Sequence, residues 1–107
     1  MKPNELQEKL GELNAIQQRL AMFSQQSRQL EMSLSELKSS ISEVSKSKGK
    51  VFSMIGNVIL EKDAKTVKKE LTTQQKTLDQ HAKVLSTQEN KLKKKAMEMQ
   101  QEISASL

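Results

Sequence analysis

The stretch from Lys50 to Asp63 is the one part of this 107-residue chain that does not read as a polar helix. It reads KVFSMIGNVILEKD, two apolar runs separated by Gly56 and Asn57. Such runs around a glycine-containing turn are typical of a β-hairpin, although the Gly-Asn order leaves the turn type open. An isolated hairpin is marginal in water, and this one has more apolar residues than one face can bury. We therefore expect it to assemble with hairpins of other subunits through eight residues: Val51, Phe52, Met54, Ile55, Gly56, Val58, Ile59 and Leu60.

The segment before the hairpin repeats apolar residues in alternating steps of three and four. This seam runs from Leu13 to Val44, with Ser27 as its one polar member. A heptad repeat sustained over several turns predicts a coiled-coil helix. Asn4 is a candidate helix cap, and Gly49 suits the residue just after the helix end.

The segment after the hairpin carries a weaker heptad repeat. Its clearest column is spaced by seven and runs from Leu71 to Met99. The second column is ambiguous, because one choice contains Gln74, His81, Gln88 and Lys95, and the other contains Gln75, Ala82, Glu89, Ala96 and Ile103. We favour the second choice, because most of its members are small or apolar.

These patterns predict a mainly α fold: a long antiparallel two-helix coiled coil joined by a single β-hairpin that assembles with other subunits. The chain is expected to form one unit over residues 1–107. The expected elements are a helix over about 5–47, a hairpin over about 50–62 and a helix over about 64–105.

The composition argues against a compact enzyme. Hydrophobic residues make up 35% of the chain, two Phe are its only aromatic residues, and it has one His and no Cys. The sequence therefore offers no metal-ligand cluster, no nucleophile and base pair, and no cofactor motif. His81 is interpreted as a surface residue of the second helix. Because there is neither a long apolar run nor a secretory signal, we expect a cytoplasmic protein without membrane contact.

The formal charge is +5, from 18 basic and 13 acidic residues. Lysines cluster near the end of the second helix, which invites a nucleic-acid interpretation. However, Arg19 and Arg28 are the only arginines, and the aromatic residues that stack on bases are scarce. The simpler interpretations are a solvated helix face or a contact with an acidic protein.

The run from Val51 to Leu71, VFSMIGNVILEKDAKTVKKEL, resembles the signature of beta-type prefoldin subunits, of the archaeal beta or the eukaryotic subunit 2 kind. The shared features are an aromatic residue after Val, an apolar-Gly dipeptide, a Val/Ile/Leu strand, a charged exit and a following helix. The single hairpin agrees with the beta type, since alpha-type subunits are longer and have two.

The resemblance implies an ATP-independent co-chaperone without cofactor. Two alpha-type and four beta-type subunits would form a hexamer whose hairpins build a β-barrel body, from which the coiled coils project. Unfolded client proteins would be held at the coiled-coil tips and passed to a group II chaperonin. Carried onto this sequence, the tip corresponds to a terminal apolar set of seven residues: Leu6, Leu10, Leu13, Met97, Met99, Ile103 and Leu107. A chaperonin contact is expected at four lysines: Lys91, Lys93, Lys94 and Lys95.

Two other functions compete with this interpretation. A structural or tethering coiled coil would explain both helices and leave the apolar hairpin unexplained. A basic nucleic-acid-binding coiled coil would explain the lysines, but the chain has no arginine-rich basic region.

Overall fold

The computed structural model describes all 107 residues and contains two helices and two strands. They follow in the order α1 (Pro3–Lys46), β1 (Lys50–Ile55), β2 (Val58–Asp63) and α2 (Ala64–Ser106). Helices make up 81% of the chain. The predicted fold class, two long helices with one antiparallel hairpin between them, is confirmed.

The first helix begins slightly earlier than Asn4 suggested. The Leu6 N–H donates to the Lys2 carbonyl at 3.0 Å, so Asn4 lies inside the first turn instead of capping it. Pro3 is the first helical residue. Proline suits this position because its fixed φ is helical and its missing N–H would have no partner there.

The hairpin is a two-stranded antiparallel sheet with a two-residue turn. Its pairs run from Lys50 opposite Asp63 to Ile55 opposite Val58. Gly56 has a φ of 59°, whereas Asn57 and all other non-glycine residues have a negative φ. Positive φ at the first central residue alone defines a type II′ turn, which explains why glycine precedes Asn57 here.

Two contacts close the base of the hairpin. Gly49 has a φ of 94°, the left-handed conformation expected just beyond a helix end. Its carbonyl accepts a hydrogen bond from the Ala64 N–H at 2.8 Å, so the end of α1 is tied to the start of α2. Beside it, Lys50 Nζ lies 3.3 Å from a carboxylate oxygen of Asp63.

The contacts of the chain divide it into two compact units. The terminal unit comprises Met1–Gln29 and Ala82–Leu107, and the hairpin unit comprises Leu30–His81. Each unit contains one segment of α1 and one of α2, and the hairpin unit also contains both strands.

The buried positions of α1 reproduce the predicted seam. Leu6 and Lys9 extend it toward the N-terminus, and from Leu13 to Val44 every predicted member, Ser27 included, is buried or half-buried. All other residues of α1 are exposed. Packing on this seam stabilises the helix, since long polar helices gain little from propensity alone.

In α2 the favoured register is confirmed. The column from Leu71 to Met99 is buried or half-buried, as is the column of Gln75, Ala82, Glu89, Ala96 and Ile103, whereas the rejected column is exposed. The pattern changes only in the first turns. There Val67 is half-buried and Lys68, which holds the heptad position, is exposed.

Replacing Gly56 with Ala should destabilise the hairpin by about 1 kcal/mol, because a side chain at positive φ is strained. An added Cβ would meet no atom within 4 Å, so the cost is conformational and not steric. The matched control is Gly11→Ala, which lies in α1 with equally free space. It should stabilise the helix by about 0.5–1 kcal/mol. Urea unfolding followed by circular dichroism measures both changes, and equal signs for the two variants would contradict the turn assignment.

Candidate functional site

The hairpin exposes most of its apolar side chains. Neighbouring residues of a strand point to opposite faces, and the pairing assigns Phe52, Met54 and Ile59 to one face. These three side chains are 75%, 73% and 62% exposed. We call them the open face of the hairpin. Exposure on this scale is typical of surfaces that contact another protein.

The other face of the hairpin lies partly against its own helices. Val51, Ser53 and Lys62 are half-buried there, and Lys62 Nζ lies 3.4 Å from a carboxylate oxygen of Glu70 in α2. Ile55 and Val58 belong to this face and are exposed next to the turn. Both strands also have an unpaired edge, since the sheet contains only these two. Such an edge can accept a further strand from another chain.

The terminal apolar set divides into buried and exposed members. Met99 and Ile103 are 7% and 8% exposed, because both belong to the seam of α2. Leu6 and Leu13 are half-buried on the seam of α1. The exposed members are Leu10, Met97 and Leu107. These three are the most accessible members of the set while the helices stay paired.

Lys9 shows how the sides of the terminal unit are arranged. Its ammonium group occupies a seam position and forms a salt bridge with Glu102 of α2. This hydrogen bond raises the pKa of Lys9, against the lowering effect of desolvation, and the charges of Glu102, Glu12 and Glu5 raise it further. We label the seam positions a and d, with Leu13 and Gln75 at a and Ile16 and Leu78 at d. All three carboxylates then occupy position g of their helix. The g positions of the antiparallel helices therefore share one side, and the e positions share the other.

The exposed helical members of the terminal apolar set lie on the side that contains the e and b positions. Leu10 is an e residue and Met97 a b residue, while Leu107 follows directly after the end of α2. We call this side of the terminal unit the apolar side. No carboxylate occupies an e or b position in this unit, whereas the g and c positions hold five: Glu5, Glu8, Glu12, Glu98 and Glu102. An extended apolar segment could lie on the apolar side without desolvating a carboxylate.

The four lysines near the end of α2 do not form a single patch. All four are exposed; Lys91, Lys94 and Lys95, spaced at i, i+3 and i+4, are neighbours on the surface of α2, whereas Lys93 lies apart at an e position. Lys93 Nζ lies 3.2 Å from a carboxylate oxygen of Glu89, one turn earlier. This is an exposed helix pair of small energetic weight.

The terminal apolar set predicted from the sequence lacks three exposed apolar residues of this unit: Met1, Met22 and Val84. Met22 and Val84 are 61% and 55% exposed and occupy c positions, on the side opposite Leu10. Their offset from the seam could have revealed them, because a residue two positions after an a residue points away from the partner helix.

No group of three or more His, Cys, Asp or Glu side chains could hold a metal ion. His81 is exposed on α2. Neither helix is long and apolar enough to cross a membrane.

Comparisons with known proteins give a consistent result. A family model described as prefoldin subunit matches residues 7–107. The fold is similar to the crystal structure of the prefoldin beta subunit from Thermococcus strain KS-1, with a TM-score of 0.92 and 28% sequence identity. This likeness covers 98% of the present chain and 94% of the other. No curated protein sequence matches significantly. The family match spans nearly the whole chain and agrees with the resemblance seen in the central stretch, and the chain therefore belongs to the prefoldin subunit family.

Proposed function

We propose that this chain is a beta-type subunit of a hexameric, ATP-independent co-chaperone that captures unfolded proteins and delivers them to a group II chaperonin. The single observation that carries the proposal is the exposed apolar surface of the hairpin, in a chain of the prefoldin family. A structural coiled coil needs its seam alone. A hairpin this apolar requires a partner.

The assembly step of the proposal concerns the open face and the two strand edges. Burying side chains such as Phe52, Met54 and Ile59 stabilises an interface by about 1.5–3 kcal/mol each. Pairing of the edge strands with neighbouring hairpins would satisfy the backbone groups that the two-stranded sheet leaves free. Other beta-type subunits and alpha-type subunits are the proposed partners.

The capture step concerns the terminal unit. Leu10, Met97 and Leu107 present a small apolar surface with no shaped pocket. Methionine suits such a surface, because its flexible, polarizable side chain adapts to many sequences. The buried members of the terminal apolar set, Met99 and Ile103, would contribute by holding the helices together beneath it.

An aspartate on the open face should prevent assembly, because it would bury an unpaired charge among apolar side chains. Met54→Asp is the test and Met32→Asp the matched control, since Met32 is also exposed, at 64%, and lies on α1. Ile55→Asp tests the other face of the hairpin in the same way. Native mass spectrometry of each variant mixed with an alpha-type subunit reports the complex. A Met54→Asp chain that still forms the hexamer would refute the role of the open face.

Replacing Leu10 and Met97 with Ser should weaken client capture severalfold while the hexamer still forms, because both side chains lie outside the seam. Met22→Ser with Val84→Ser is the matched control on the opposite side, at similar exposure. Capture is measured as suppression of aggregation of a denatured protein without ATP. Full activity of the Leu10 and Met97 variant, or equal loss in the control pair, would contradict the assignment to the apolar side.

The four lysines are the proposed chaperonin contact, on the argument of charge alone. Replacing Lys91, Lys93, Lys94 and Lys95 with Gln should weaken binding to a group II chaperonin and make the remaining binding less sensitive to salt. The Lys→Arg variant at the same positions keeps the charge and should bind normally. Chaperonin binding of the Gln variant at wild-type strength would show that these lysines are not the contact.

A further inference from the structure

The two sides of the hairpin unit carry opposite charge. At the e and b positions lie four lysines of the two helices: Lys38, Lys65, Lys69 and Lys76. At the g and c positions lie three glutamates and no lysine: Glu36, Glu43 and Glu70. All seven residues are exposed. We call these the basic side and the acidic side of the hairpin unit.

The lysines of the basic side have no carboxylate partner within the chain. None of the four forms a salt bridge, although they lie in an exposed and charge-rich surface. Lys48 and Lys68 are also unpaired. Lys48 and Lys65 line one cavity at the base of the hairpin together with Gly49, Asp63 and Ala64. The basic side ends at Glu31 and Asp79, two carboxylates at e positions.

The acidic side is partly neutralised by its own chain. Glu70 pairs with Lys62 at 3.4 Å, and Glu43 lies 3.8 Å from Lys46. Glu36 has no partner. The Glu43 and Lys46 side chains are 77% and 72% exposed, so this pair is weak and its carboxylate can exchange partners at little cost.

We propose that the basic side of one hairpin unit packs against the acidic side of a second copy of this chain, next to the joined hairpins. The argument is charge complementarity, since both halves of the contact are present on the same molecule. A contact between two different sides is heterologous, and repetition of such contacts builds a ring when the rotation closes. The inference rests on the proposed assembly through the hairpin and adds the direction in which neighbours are placed.

The chemistry of the basic side favours a protein carboxylate over a nucleic acid. It contains lysines only, which act as single point charges, and neither Arg19 nor Arg28 belongs to the hairpin unit. Phe52 of the hairpin is the one aromatic residue in this unit and lies among the apolar residues of the open face. The arginine forks and stacking rings that serve nucleic-acid binding are absent from this side.

The test reverses each side separately and then both together. The first variant is Lys65→Glu, Lys69→Glu and Lys76→Glu, and the second is Glu36→Lys and Glu43→Lys. Either variant alone places like charges against each other at the contact. Because it removes a few exposed ion pairs, it should raise the subunit concentration at half-assembly by about tenfold. Because all five residues are exposed, the helices should stay intact, which circular dichroism checks.

The decisive measurement is rescue. A chain with both sets of reversals, and an equal mixture of the two variants, should each regain assembly at the wild-type concentration, because opposite charges face each other again. Native mass spectrometry with an alpha-type subunit present reports the complex. Loss without rescue would overturn the second copy as the occupant and indicate an external acidic partner. Unchanged assembly of either single variant would also overturn the inference.

The same experiment separates this inference from the proposed function. If the wild-type chain forms no complex, or Met54→Asp leaves the complex intact, the proposed assembly itself fails. If Met54→Asp prevents assembly and the charge reversals do not affect it, only the charged contact fails.

Discussion

The structure depends on the inability of two strands to bury their own apolar side chains. β1 and β2 satisfy half of their backbone groups by pairing with each other, and leave Phe52, Met54 and Ile59 in water. The helices leave this face uncovered. Most apolar residues of the helices pack at the seam and hold the chain together, whereas most apolar residues of the hairpin remain exposed. The single chain therefore keeps an apolar surface that neither its strands nor its helices cover.

The seam itself is only partly apolar, and its polar members help to fix the alignment of the two helices. Lys9, Ser27, Gln75 and Glu89 all occupy seam positions and are half-buried. Each costs some stability relative to an apolar residue, and a polar seam residue is a known means of fixing register. Lys9 illustrates this, because its salt bridge with Glu102 forms in one alignment of the two helices and would be lost by a slip of one turn.

Most of the fold could be predicted from the sequence because it follows from periodicity. Spacing of three and four located the seam of α1, and the column from Leu71 to Met99 located that of α2. The start of α1 was predicted about two residues too late. Proline occurs both as the first residue of a helix and as the residue before one, and the sequence does not distinguish the two cases for Pro3. The turn type could not be derived from residue order, since both Gly56 and Asn57 tolerate positive φ.

The terminal apolar set was harder to predict in detail. The sequence groups the apolar residues near the chain ends, but sequence proximity does not separate Met97 from Met99. Their exposures of 61% and 7% differ because two positions along a helix correspond to a rotation of about 200°. The confirmed heptad register resolves this at once, and it also sorts the charges. In the terminal unit, the carboxylates lie on the side away from Leu10 and Met97. An extended apolar segment lying beside Leu10 and Met97 would therefore leave these carboxylates in water, which avoids the cost of desolvating them.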